Sequence, residues 1–459
     1  MNNNTTFSLS LQKQIEQKKL NLDSEIDASF RALGIKTMLQ RSNIKKEKGY
    51  NTAFILYCFI LLPFLKKFMR CFWDTKYLSN RINAQKDVYY RFLNHERFNW
   101  RKFIYYLSLR IITYTDTTPL REKTLIIDDT IAPKTGKDIE LVSYHFDHKS
   151  GKSILGNQCL QMGYHNGINF YPLDMSFHTS NKRPNNKTRD IDKRTNGWNR
   201  RKEALKKKTD IVIEMVNRAW KQGIDASFVL FDSWFSHDAV IAQIIQIGYG
   251  VICRLKRNKA KYGYKGKQYT LKQLWDIVKK DTQWLSSQQV KGICVNATLP
   301  KSGNINILFI SDGHKQWQAF LSTDQELEAS EILNYYARRW AIEVFFKDAK
   351  QMLYLGKEQS NTFDALVASY SMVMIRYLLL VYILNRYNLT GPICALFDQI
   401  SDDELQLCMA ASMWNKIKEL IIKSSGTICD QIDSDMLMLS LDLIEETIRE
   451  HLIFPCAKL

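Results

Sequence analysis

The sequence predicts an α/β protein with mainly helical regions at both ends, and three observations carry that expectation. Two short apolar runs, TLIIDDT from Thr124 and ASFVLFDSWF from Ala226, read as buried strands. Amphipathic stretches closed by glycine, Thr209–Gly223 and His237–Gly250, read as helices around the second strand. Strand, helix, strand, helix and strand in this order mark an α/β core. The 459 residues are enough for several domains.

The flanks have a different pattern. In residues 1–120, Leu22, Ile26, Phe30 and Leu33 recur at helical spacing, and Gly34 stops that segment. From Ile35 a short basic helix, a turn and an apolar helix follow. They suit a DNA-binding helical module or a plain packing domain. Between Asn83 and Arg110, aromatic and basic residues alternate, with the aromatic face expected in the core. After Lys123 a hairpin or meander is expected, then a basic arm ending in a helix. Short strands fill 259–320, followed by one long helix from Glu328 and another from Thr362 to Asn385. The boundaries expected are 1–120, 121–258, 259–325, 326–390 and 391–459.

A net charge of +18 favours a polyanionic partner. Two apolar runs, Ala53–Phe64 and Met374–Leu384, are too short to span a bilayer; Pro63 interrupts one and Arg376 the other. Both read as core helices, and no membrane association is expected. The N-terminus has no apolar signal segment. The nine cysteines form no CxxC pair, so reduced thiols in a cytoplasmic protein are expected, without structural zinc.

Three acids stand out by placement. Asp128 and Asp129 follow an apolar run, Asp232 ends another, and Glu343 lies in an aromatic-rich helix. Strand-end acids on neighbouring strands, with a third from a packed helix, repel one another unless a hard cation is present. Mg²⁺ prefers such oxygen ligands and serves phosphoryl transfer. The competing account is ordinary: strand-end Asp as a turn former and a solvated helical Glu. Tyr336, Arg339, Glu343 and Lys350 occupy i, i+3, i+7 and i+14, one face of an uninterrupted helix. That stripe suits a phosphodiester, with cations on its non-bridging oxygens. Ile342 and Phe346 are expected to anchor the helix.

These residues give the chain a family resemblance. YARRWAIEVFFKDAK, Tyr336–Lys350, carries the pattern Tyr, two residues, Arg, three residues, Glu, six residues, Lys. With LIIDDT and FVLFDSWF, it resembles bacterial insertion-sequence transposases of the IS4-like class over about residues 120–385. The resemblance implies an RNase H-like catalytic core with a β-rich insertion, and Asp128, Asp232 and Glu343 as catalytic metal ligands. Asp129 is the second candidate for the first acid; Asp128 is preferred because it continues the strand before the turn. Tyr336, Arg339 and Lys350 are implied as phosphate contacts. Mg²⁺ is the implied cofactor, with Mn²⁺ able to substitute.

The implied partners are double-stranded DNA, both element terminal repeats and target, and a second copy of the chain in a paired-end complex. The implied location is the bacterial cytoplasm, at the nucleoid. In the basic arm, Lys182, Arg183, Lys187, Arg189, Arg194, Arg200 and Arg201 are candidate DNA backbone contacts. In the tail, the apolar stripe of Leu437, Leu441, Ile444 and Ile448 is the candidate dimer contact. Two alternatives are a nuclease of the same fold that does not integrate, and a domesticated DNA-binding relative.

Overall fold

The computed structural model describes residues 2–18, 25–46, 48–68, 85–147, 150–286, 288–312, 316–428 and 436–444. Ile448, Cys71, Cys429 and Cys456 lie outside them. The chain divides into two compact units. The first contains residues 1–115, 348–359 and 364–459; the second contains 116–347 and 360–363. The N- and C-terminal regions thus belong to one helical unit, and the second helix expected in the catalytic core, from Asp364 onward, belongs there too.

In the helical unit the chain forms α1 (Asn2–Gln17), α2 (Glu25–Ala32), α3 (Ile35–Arg41), α4 (Thr52–Leu61), α5 (Lys86–Leu93) and α6 (Trp100–Thr115). The Asn51 side chain caps α4 by accepting from the Ala53 amide at 2.9 Å. Every residue of α4 is buried, as expected for a helix apolar all round. On α5, Val88, Tyr89 and Phe92 face inward, while Arg91 pairs with Asp87 at the surface.

The second unit is built on one mixed sheet. Its strands are β1 (Thr124–Pro133), β2 (Ser143–Asp147), β3 (Lys152–His165) and β4 (Phe170–His178). Helices α7 (Asn196–Ala204) and α8 (Lys208–Lys221) lead to β5 (Phe228–Phe231), and α9 (Asp238–Ile247) leads to β6 (Gly250–Arg254). β2 and β4 share one edge of β3, whose other edge pairs antiparallel with β1. β1, β5 and β6 are then parallel neighbours. The four residues of β5 are all buried, which fits a short apolar strand with covered faces. Both helix-closing glycines adopt positive φ, 69° at Gly223 and 121° at Gly248.

The β-rich insertion is a continuation of the same sheet. β7 (Lys261–Tyr264), β8 (Lys267–Thr270), β9 (Gln283–Leu285), β10 (Val290–Leu299), β11 (Gly303–Ser311) and β12 (Trp317–Ser322) extend it, with β12 antiparallel to β6. Within this stretch lies a helix that the sequence pattern did not lead us to expect, α10 (Leu271–Val278). Thr270 and Gln273 form a capping box at its start, a T-x-x-Q signal present in the sequence.

The expected long helix after Glu328 is two helices, α11 (Ala329–Ala337) and α12 (Trp340–Gln351). The break contains no glycine or proline. Here the backbone tightens to three-residue bonds, Arg338 N–H to Tyr335 O at 3.1 Å and Arg339 N–H to Tyr336 O at 3.0 Å. Tyr336 therefore lies on a different helix from Glu343, and the single-face reading holds only from Arg339 onward. Ile342 and Phe346 anchor α12 as expected, both buried.

Back in the helical unit, α13 (Phe363–Arg386) and α14 (Ile393–Ile428) complete the numbered elements, and residues 436–444 are also helical. α13 is longer than the apolar run read from sequence, and it is long and apolar enough to cross a membrane. However, 89% of its most apolar window is buried inside the protein. Arg376, near its middle, is itself buried and donates to Leu353 O at 2.8 Å, Phe59 O at 2.6 Å and Ile60 O at 3.2 Å. Two of those carbonyls are in the last turn of α4, where Phe59 O also accepts from the Leu62 amide at 3.4 Å. These three carbonyls satisfy the buried guanidinium.

Candidate active site

Sheet register places the first two acids together. The parallel pairing of β1 with β5 runs from Thr124 opposite Phe228 to Ile127 opposite Phe231. The next residue after each of these pairing segments is an aspartate, Asp128 and Asp232. They stand side by side where β5 ends, while β1 continues to Pro133 against β3. Asp128 is thus mid-strand, rather than at the strand end read from sequence. Pairing of β5 with β6 ends at Phe231 opposite Cys253, which puts Arg254 next to Asp232; their side chains meet at 3.2 Å.

The third acid is tied to the first by an arginine. Arg339 Nη1 lies 3.1 Å from Asp128 Oδ2, and Arg339 Nη2 donates to Glu343 Oε1, one helical turn on. Tyr336 completes the group, its ring 5.6 Å from the Arg339 guanidinium and packed edgewise on Phe320. Burial pushes its phenol up to about 12, so it remains a proton donor near neutral pH. Lys350 is exposed in the last turn of α12, which the division of the chain assigns to the helical unit.

Asp128 and Asp129 point to opposite faces of the sheet, because side chains alternate along a strand. Asp129 accepts from Lys208 Nζ at 2.8 Å and from Gln158 Nε2 at 2.9 Å, whereas Asp128 faces Arg339. Burial, then the Asp129 carboxylate, push Asp128 up to about 7; Asp232 adds to this and Arg339 opposes it.

Among the described residues, no three His, Cys, Asp or Glu side chains form a ready ion cage. Arg339 instead bridges two of the acids. The donor set still fits a hard divalent ion: three carboxylates on adjoining elements, one of them strongly disfavoured as a bare anion. The side chains of Asp128, Glu343 and Asp232 are 21%, 34% and 37% exposed, so all three are open to solvent.

The basic arm is only partly a surface. Lys182, Arg183, Lys187, Arg189 and Arg194 are exposed; Lys187 pairs with Asp138 and Arg194 with Asp192. Arg200 and Arg201 depart from expectation, because both are buried. Arg200 donates to Met175 O at 2.6 Å. Arg201 pairs with Glu140, Nε to Oε1 at 2.7 Å and Nη2 to Oε2 at 2.9 Å. Neither guanidinium is presented to a DNA backbone. In the tail, Leu441 is buried and Ile444 exposed.

With this geometry in place, comparison with known families gives a concordant result. Residues 76–270 match the DDE superfamily endonuclease family. The match supports a DDE transposase-like nuclease domain; nucleases of this kind generally use divalent metal ions. It spans Asp128, Asp129 and Asp232 and ends before Glu343. No curated protein matches the chain.

Three groups stand at this site that sequence reasoning did not place here. Arg254 and Lys208, the latter read only as the end of the basic arm, are cations held against acids, and Trp234 carries Lys208 on its ring face, Nζ 3.7 Å from the centroid. Only Trp234 had a local signal, two residues after Asp232. The two cations are brought in by sheet pairing and helix placement.

Proposed function

We propose that the protein is a DNA transposase of the IS4-like insertion-sequence class, with Asp128, Asp232 and Glu343 holding Mg²⁺. The observation that carries the reading is the register that sets Asp128 beside Asp232, with Glu343 joined to Asp128 through Arg339. The strand order β4-β3-β1-β5-β6, antiparallel and then parallel, supports an RNase H-like core.

Two-metal chemistry supplies activation of the attacking oxygen and neutralisation of the leaving one. In the first reaction, water attacks phosphorus at an element end and the 3′ oxygen leaves, freeing a 3′-hydroxyl. In the second, that hydroxyl attacks a target phosphodiester, and the target's own 3′ oxygen departs. Arg339 neutralises Asp128 and Glu343, Arg254 stands against Asp232, and both guanidiniums are placed to pair with a phosphate among the acids. Tyr336 donates from a phenol that stays protonated. Mn²⁺ can replace Mg²⁺, and the working form is a homodimer holding two ends, since both must be joined to one target.

A pre-cleaved duplex with a free 3′-hydroxyl, mixed with supercoiled target and Mg²⁺, separates transposition from simple cutting. Joined product is expected. Cleavage of intact ends without any joining would favour a nuclease that does not integrate.

The exposed part of the arm supplies cations to the DNA backbone. Neutralising Lys182, Arg183, Lys187 and Arg194 together is expected to flatten the log affinity against log salt line by about 0.9 for each phosphate no longer neutralised. An unchanged slope would show the arm to be a solvated loop.

A further inference from the structure

Behind the acids, on the opposite face of β1, is a cation with two unlike partners. Lys208, the first residue of α8, is mostly buried, its side chain 13% exposed. Its Nζ lies 2.8 Å from Asp129 Oδ2 and 3.7 Å from the centre of the Trp234 ring. Asp129 is the neighbour of Asp128 on β1, and Trp234 is two residues beyond Asp232.

Each catalytic acid is oriented by the backbone that follows it. Asp128 Oδ1 accepts from the Asp129 amide at 2.8 Å, and Asp232 Oδ1 accepts from the Ser233 amide. The segment after each acid therefore sets where its carboxylate points, and Lys208 grips both segments. We infer that Lys208 is a positioning residue, a clamp that holds the Asp128 and Asp232 carboxylates in register with each other.

The clamp combines an ion pair with a cation–π contact in a partly desolvated place, where each is worth more than at the surface. Gln158 holds the same Asp129 oxygen from β3, which fixes the carboxylate on a second side. Outer groups of this kind act on ion affinity and ligand orientation without touching the ion or the DNA.

The inference rests on the proposed metal-binding role of Asp128 and Asp232, and the test separates the two. Full-length wild type, Lys208→Met, Lys208→Arg, Asp129→Asn and Trp234→Leu are titrated with terbium ion alone, read by isothermal titration calorimetry. The Mg²⁺ half-saturation of DNA cleavage and DNA affinity in EDTA are measured in parallel. Lys208→Met is expected to weaken terbium binding and raise the Mg²⁺ half-saturation by about tenfold each. DNA affinity in EDTA should not change, and Lys208→Arg should recover most of the loss. Asp129→Asn and Trp234→Leu should each reproduce part of it. Lys208→Met with wild-type terbium affinity overturns the clamp while the metal site stands. Should Lys208→Met fail to fold, Asp129→Asn and Trp234→Leu decide: wild-type terbium affinity in both overturns the clamp. Wild type that binds no terbium overturns the clamp together with the metal site beneath it.

Discussion

Asp232→Ala or Glu343→Ala is expected to lower DNA cleavage by on the order of 10³-fold or more, the equivalent of about 4 kcal/mol in the barrier. The expectation follows from placement. Asp232 stands beside Asp128 at the end of the parallel β1–β5 pairing, and Glu343 reaches the same place through Arg339. Both side chains are partly exposed and outside the packed core, so their removal should leave the fold intact. DNA affinity should also persist, because a group that acts on the transition state contributes little to ground-state binding. Single-turnover cleavage of a labelled duplex, with band-shift binding on the same preparations, checks both parts. Near wild-type cleavage by either variant would remove that residue from the site.

The largest effect on stability is expected at Glu140, which is in none of the motifs. Its carboxylate is buried and accepts from Arg201 through both oxygens, from the Arg189 amide at 2.9 Å and from the Phe363 amide at 2.8 Å. Glu140→Gln keeps the shape, removes the charge and leaves the Arg201 guanidinium buried beside a neutral amide. Breaking one side of a buried pair costs about 3–5 kcal/mol, much of it the stranded charge.

The pH dependence has a definite sign. Burial acts to raise the Glu140 carboxyl, but the Arg201 bond and the two amides outweigh it and hold the group below its ordinary value. A depressed carboxylate stabilises the fold above its unfolded value of about 4.3, and that contribution is lost as pH falls through the lower folded value. Thermal melts of wild type and Glu140→Gln should differ most near neutral pH and converge in acid. Equal melting temperatures at pH 7 would refute the assignment.

What could be read from the chain depended on whether the signal was local. The strands around Asp128 and Asp232, the glycine-closed helices and the apolar α4 all carry their pattern within a dozen residues, and all are present. α10 has an equally local signal in its capping box, obscured by the short strands on either side of it.

Other features depended on distant partners. Alternation says that Asp128 and Asp129 face opposite ways, but only the placement of α12 and α8 says which face is which. Arg200 and Arg201 lie in a run that reads as a basic arm. Their burial is set by Met175 and Glu140, 25 and 61 positions away. The break between α11 and α12 has no proline or glycine to announce it, and it changes which residues share a face with Glu343.

The most direct test of the central claim is cleavage of a labelled duplex carrying the DNA that flanks the coding sequence, incubated with the full-length protein in Mg²⁺ or in EDTA. A discrete cut with a free 3′-hydroxyl is expected in Mg²⁺, a similar product in Mn²⁺, and none in EDTA although the DNA remains bound. Cutting that persists undiminished in EDTA, or binding without any cut in Mg²⁺ or Mn²⁺, would contradict it.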